Sequence, residues 1–183
     1  MRFTETRLQG AYVVDIEPRP DDRGFFSRTY CSREFLEHGL TAKVAQCNLS
    51  YNHSAGTLRG MHMQVPPASE AKLVRCTRGA IFDAIVDMRE GSPTHLEHIG
   101  VELSADNRRA LFVPEGFAHG YLTLTDDAEV EYQVSEFYTP NTEHGFRHDD
   151  PRLGIAWPRP VTLVSDKDRD WPLIDELVGE AMR

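Results

Sequence analysis

Cysteine is scarce in this chain: Cys31, Cys47 and Cys76 are the only three in 183 residues. The number is odd and the spacing wide, which excludes a disulfide framework or a close-set zinc pattern and fits a reducing cytoplasm. Long apolar runs are missing, so no stretch qualifies as a membrane span. The first seven residues, Met1-Arg2-Phe3-Thr4-Glu5-Thr6-Arg7, hold no apolar signal core, so export is not expected. Positive charge is in deficit, with 20 Lys and Arg against 29 Asp and Glu and a net charge of −9. That excludes a broad basic surface for nucleic acid. It does not exclude an anionic small molecule, because a few converging cations bind a diphosphate on an acidic protein. Repeats, low-complexity tracts and linkers are also absent.

What remains is a soluble globular composition, 40% hydrophobic and 27% charged, in a length that suits one domain over 1–183. Short β-like runs dominate. The pattern predicts strands over 11–16, 44–49, 58–64, 72–76, 80–88, 97–103, 110–113, 120–124 and 128–135. Turn formers separate them, among them Arg78-Gly79, Glu90-Gly91-Ser92-Pro93 and Thr125-Asp126-Asp127. Alternation in 81–87 puts Asp83 and Asp87 on one face with Ile81 and Ile85. Many short strands at this spacing predict a sandwich or barrel. Two helices are expected. Ser32 is read as the cap of one over 33–38, with Gly39 ending it. Pro172 is read as opening another, with Leu173, Ile174, Leu177, Val178, Ala181 and Met182 on one face.

Two histidine-bearing stretches are the most informative. They are Gly56-Thr57-Leu58-Arg59-Gly60-Met61-His62-Met63-Gln64 and Val113-Pro114-Glu115-Gly116-Phe117-Ala118-His119-Gly120. They resemble the paired motifs of a cupin, whose metal site takes two histidines and a carboxylate from the first motif and one histidine from the second. Here Gln64 replaces the second histidine. A barrel with isolated histidines suits acid–base chemistry better than coordination.

Further fragments follow in order along nearly the whole chain: Asp22-Arg23-Gly24-Phe25-Phe26, Gln46-Cys47-Asn48-Leu49-Ser50, Lys72-Leu73-Val74-Arg75, Tyr132, Tyr138-Thr139-Pro140 and Ser165-Asp166-Lys167-Asp168. Together with the histidine motifs they resemble the dTDP-4-dehydrorhamnose 3,5-epimerase family. The resemblance implies an all-β, cupin-like jelly-roll β-barrel with a few short peripheral helices. It implies a homodimer with no metal and no cofactor. The implied substrate is a nucleotide-diphosphate-linked 4-keto-6-deoxyhexose, foremost dTDP-4-keto-6-deoxyglucose.

Epimerisation beside a ketone needs a base for the α-proton, a group to hold the enolate oxygen and an acid on the opposite face. Histidine suits the first task, since an ordinary imidazole, pKa about 6.5, is largely neutral at pH 7. By resemblance His62 is the base and Asp168 orients its imidazole. Alone, Tyr132 reads as a strand aromatic and Lys72 as a solvated lysine at a strand start; the resemblance makes them the acid and the oxyanion's cation. It likewise gives substrate contacts to Arg23, Phe26, Arg28, Gln46, Asn48, Arg59, His119, Tyr138, Glu143 and Lys167. Asp83 is a candidate partner of His119. Arg59 and His62 are three apart, so a regular strand sends them to opposite faces; if both touch substrate the chain must bulge or twist there, which Gly60 makes feasible.

The chain departs from the family pattern at four places. Arg28 stands for glutamate, Met63 for tyrosine and His148 for tryptophan, and 133–137 differs from the common form. These bear on nucleotide and sugar identity and on one inverted carbon or two, so a single-carbon epimerase is the near alternative. Two other classes compete: a metal-dependent cupin oxygenase or isomerase using His62, Gln64, Glu70 and His119, and a non-catalytic sugar-binding cupin.

Overall fold

The structure is a computed structural model and describes residues 1–175. The strands in chain order are β1 (Arg2–Glu5), β2 (Tyr12–Asp15), β3 (Arg19–Asp21), β4 (Gly24–Phe26), β5 (Gln46–Asn52), β6 (Thr57–Gln64) and β7 (Lys72–Arg78). They continue with β8 (Ala80–Asp87), β9 (His98–Ser104), β10 (Ala110–Val113), β11 (Phe117–Thr123), β12 (Ala128–Val134), β13 (Glu143–Gly145) and β14 (Leu163–Val164). Among the described residues two short helices complete the elements, α1 (Ser32–Glu37) and α2 (Asp166–Arg169). One sheet runs β1-β2-β10-β7-β12-β5 and the other β13-β6-β11-β8-β9, with β14 parallel to β6. This is the all-β jelly roll that the resemblance implies. No helix among the described residues is long and apolar enough to cross a membrane.

Alternation decides what each sheet turns inward. On β8, Ile81 and Ile85 enter the core between the sheets, while Ala84 and Val86 enter a separate cluster with Met61, Ala118, Phe146 and Ile174. Asp83 and Asp87 share the inward face of Ile81 and Ile85 and are fully buried. The opposite sheet is covered outside by α1, whose Phe35 packs with Val14, Leu73, Ala110 and Phe112. The interior is therefore apolar at one end. At the other end β5 and β12 contribute polar side chains. Register pairs Gln46 with Val134, Asn48 with Tyr132 and Ser50 with Val130, so Gln46, Asn48, Ser50 and Tyr132 share one face. Lys72 pairs with Val134 and joins that face.

Several expected boundaries shift. β5 starts at Gln46 and extends to Asn52, and β11 starts at Phe117, directly after the turn at Gly116. Ser32 is not the cap of α1: it is the first helical residue, Cys31 holds the cap position, and no side chain caps there. Burial of Phe35 anchors this helix instead. Gly39 does follow it in the left-handed region, at φ 72°. Of the expected C-terminal helix, Ile174 packs against the outer cluster, whereas Leu177, Val178, Ala181 and Met182 lie outside the described residues.

Candidate active site

Where β6 meets β11, His62 pairs with His119 but Arg59 pairs with Tyr121. Three steps on β6 thus oppose two on β11, and the extra residue lies at Gly60-Met61. Gly60 has φ 121°, and a Cβ there would meet the Gly120 Cα at 2.5 Å. A Cβ on Gly120 would meet the Arg59 carbonyl oxygen at 2.9 Å. Only glycines permit this approach. The bulge turns Arg59 and His62 to the same cavity, about 290 Å³ in volume, between the two sheets. Lys72, His119, Tyr132, Lys167 and Asp168 line it too. An adjoining cleft of about 180 Å³ shares His62, Lys72 and Tyr132, and adds Gln46, Asn48, Tyr138 and Glu143.

His62 and Asp168 form a close pair, Nε2 to Oδ1 at 2.6 Å. Asp168 is presented by α2, where the Ser165 hydroxyl accepts the Asp168 N–H at 3.1 Å and caps the helix. Its second oxygen accepts the Gly60 N–H at 3.2 Å. Burial pushes the Asp168 carboxyl up, but the hydrogen bonds from His62, Gly60 and Ser165 prevail and hold it below the ordinary carboxylate value. An ionised carboxylate takes the Nε2–H and leaves the imidazole lone pair on Nδ1. Glu143 Oε1 lies 4.0 Å from that Nδ1, and its other oxygen pairs with Lys167 Nζ at 2.6 Å.

Tyr132 faces this dyad from the opposite sheet. Burial raises its phenol above the usual value, the nearby Glu70 charge raises it further, and Arg59 only partly offsets both. Lys72 Nζ stands on the same sheet as Tyr132, 3.1 Å from Glu70 Oε1. A second dyad lies deeper: His119 Nε2 to Asp83 Oδ1 at 2.7 Å, with Asp83 Oδ2 buried and unpartnered. Arg59 Nε donates to Asn52 Oδ1 at 2.8 Å. The Tyr138 N–H donates to Gln46 Oε1 at 3.2 Å, and the Tyr138 ring is exposed at the cleft mouth.

Three expected contacts are not brought to this cavity by their own chain. Arg23 pairs with Asp21 at 2.6 Å in the β3–β4 hairpin, Phe26 ends that hairpin 67% exposed, and Arg28 pairs with Glu34 at 3.1 Å. The reason is structural: the hairpin pairs only with itself, Arg19 against Phe26, and every residue of both strands is exposed. Of the other departures, Met63 lines the cleft, and His148 is half-buried and not among the cleft's lining residues, with burial lowering its imidazole pKa.

Ser50, Tyr121, Ser165 and Trp171 were not expected at the site. Ser50, Tyr121 and Ser165 line the cavity, and Trp171 stands edge-on to His62 at 6.2 Å. Extending the alternation Gln46, Asn48 by one step reaches Ser50; nothing in the local sequence marks the others. Gln64 uses its amide in full. The two Nε2 hydrogens are shared among three acceptors at 3.2 Å, the Ala68 and Phe137 carbonyls and Glu70, and Oε1 accepts from the Thr139 N–H and Thr142 hydroxyl. No group of three or more His, Cys, Asp or Glu among the described residues is arranged to hold a metal ion.

Comparison with known proteins points one way. The family model described as dTDP-4-dehydrorhamnose 3,5-epimerase matches residues 5–176. The dTDP-4-dehydrorhamnose 3,5-epimerase of Methanothermobacter thermautotrophicus is 43% identical over 96% of this chain and 95% of its own. The dTDP-4-dehydrorhamnose 3-epimerase of Streptomyces niveus is 40% identical over 96% of this chain and 85% of its own. The crystal structure of dTDP-4-dehydrorhamnose 3,5-epimerase from Bacillus anthracis, with TDP and PPi bound, is 42% identical. It superposes with a TM-score of 0.91 over 94% of this chain and 99% of that one.

Proposed function

The chain belongs to the dTDP-4-dehydrorhamnose 3,5-epimerase family, and on that premise we propose that its cavity inverts carbons beside the ketone of a nucleotide-diphosphate-linked 4-keto-6-deoxyhexose. The protein is an isomerase, and dTDP-4-keto-6-deoxyglucose is the foremost substrate. One observation carries the mechanism: a carboxylate-bound imidazole and a half-buried phenol enter the cavity from opposite sheets.

His62 Nδ1 takes the α-proton, and Asp168 stabilises the imidazolium that results. The electrons move onto the C4 oxygen, where Lys72 meets the developing charge, while His119, held through Nε2 by Asp83, accepts from a sugar hydroxyl. Tyr132 returns a proton from the other side, which inverts the carbon. Arg59 and Lys167 bind diphosphate oxygens, Gln46 and Asn48 the sugar side of the cleft, and Tyr138 and Glu143 the nucleoside. One domain performs all of this, without a cofactor, in the cytoplasm, a placement supported by the three unpaired cysteines.

The test is incubation with dTDP-4-keto-6-deoxyglucose in deuterated water, read by mass spectrometry. Deuterium is expected in the recovered sugar; no uptake into this or any other nucleotide 4-keto sugar would overturn enolisation. A 3,5-epimerase and a 3-epimerase resemble this chain almost equally, at 43% and 40% identity, so the number of labelled carbons decides between double and single inversion.

The working unit is a homodimer. The β3–β4 hairpin pairs with no other strand of its own chain and its residues are exposed, while the edge strand β5 leaves its outward side unpaired and Leu49 63% exposed. Exchange of this hairpin brings Arg23, Phe26 and Arg28 to a second copy's cavity. Arg23→Ala and His62→Ala chains are each expected to be inactive alone, and to regain activity when co-expressed, because a mixed dimer holds one complete site. Full activity of Arg23→Ala on its own would show that one chain suffices.

A further inference from the structure

Lys72 opens β7, and its side chain is 12% exposed. Glu70, two residues earlier and 11% exposed, places Oε1 3.1 Å from the ammonium. At this burial the pair is not a solvated surface contact, whose worth is slight. Each charge depends on the other for the hydration it has lost. The second oxygen, Oε2, accepts from Gln64 Nε2 at 3.2 Å. Gln64 is itself fixed: its oxygen takes the Thr139 N–H at 2.8 Å and the Thr142 hydroxyl at 3.3 Å, and its nitrogen also meets the Ala68 and Phe137 carbonyls, each at 3.2 Å. A rigid donor thus stands on one side of the Glu70 carboxylate and a mobile cation on the other. Lysine reaches through a flexible four-carbon stem, so its ammonium does not hold one position unaided.

We propose that Glu70 is a positioning residue for Lys72: the chain Gln64–Glu70–Lys72 fixes the ammonium where the C4 oxyanion forms. The proposal rests on the reading of Lys72 as the oxyanion's cation. It gives the position that replaces a cupin metal ligand a task in proton-transfer chemistry. Instead of coordinating an ion, Gln64 anchors the carboxylate that aims the lysine. Catalysis by a fixed charge depends on placement, and a displacement of about 1 Å costs up to about 10²-fold.

The test is a double-mutant cycle, with kcat and KM taken from solvent-deuterium uptake into dTDP-4-keto-6-deoxyglucose. Glu70→Ala is expected to lower kcat about 10- to 100-fold with KM within about threefold. In a Lys72→Ala background the same change should have no further effect, because Glu70 acts through Lys72. Glu70→Gln should retain kcat within about threefold: its one carbonyl can turn to Lys72, and Gln64 keeps its other acceptors. If Glu70→Ala does not fold, Glu70→Met fills similar space without an acceptor and serves the same cycle. Wild-type kcat in Glu70→Ala while Lys72→Ala is slow overturns the positioning role alone. Additive losses in the double variant, or a Glu70→Gln loss as large as that of Glu70→Ala, overturn it as well. A full rate in Lys72→Ala removes the reading of Lys72 and this proposal with it.

Discussion

His62→Ala is expected to lower deuterium exchange about 10³-fold or more, with KM changed far less. The size follows from position. His62 lies where β6 bulges, its Nε2 is committed to Asp168, and its other nitrogen is the free base of the dyad. None of its neighbours can take over. Glu143 is 4.0 Å from the imidazole and committed to Lys167, while His119 is committed to Asp83. Because Asp168 also accepts from Gly60 and is capped by Ser165, the carboxylate stays anchored when the imidazole is removed. The variant is therefore expected to fold, which circular dichroism and thermal unfolding check. Exchange at the wild-type rate in folded His62→Ala would show that another group is the base.

Tyr132→Phe is expected to separate two steps that the wild type joins. Proton removal by His62 continues, so deuterium still enters the sugar, but inversion falls about 10²-fold because the opposing acid is gone. The ring remains and the packing changes little, so a fall in exchange as large as the fall in inversion would place Tyr132 outside the acid's role. The pH dependence has a definite sign. The working form is the protonated phenol, present below its pKa, and burial and Glu70 both raise that pKa. Loss of inversion attributable to Tyr132 is therefore expected only above the ordinary phenol value of about 10.

The strands, and a sandwich or barrel made of them, were legible because strands write a period of two; the jelly roll and most cavity residues rested on the resemblance to a family. Ile81, Asp83 and Ile85 fall inward as alternation requires, and so do Gln46 and Asn48. The bulge between Arg59 and His62 was legible as a conflict, since three residues of regular strand cannot put both in one cavity, and a glycine between them allows the resolution. The partners of the histidines were less so. Asp168 lies more than a hundred positions from His62, and its pairing rests on the resemblance to a family rather than on any local pattern. Arg23, Phe26 and Arg28 mark the limit: their hairpin pairs with no other strand of its own chain, and one chain's sequence does not state where a second copy sits. Glu70 was legible only as a possible metal ligand; its contact with Lys72 depends on how the loop before β7 folds back to Gln64.

The central claim is that base and acid act from opposite sheets. Its most direct test is the site and stereochemistry of deuterium in dTDP-4-keto-6-deoxyglucose after limited turnover in deuterated water, read by NMR at C3 and C5. The expected result is label at each inverted carbon, on the face opposite the hydrogen that left. Label introduced with retained configuration, or inversion without label, would contradict the account.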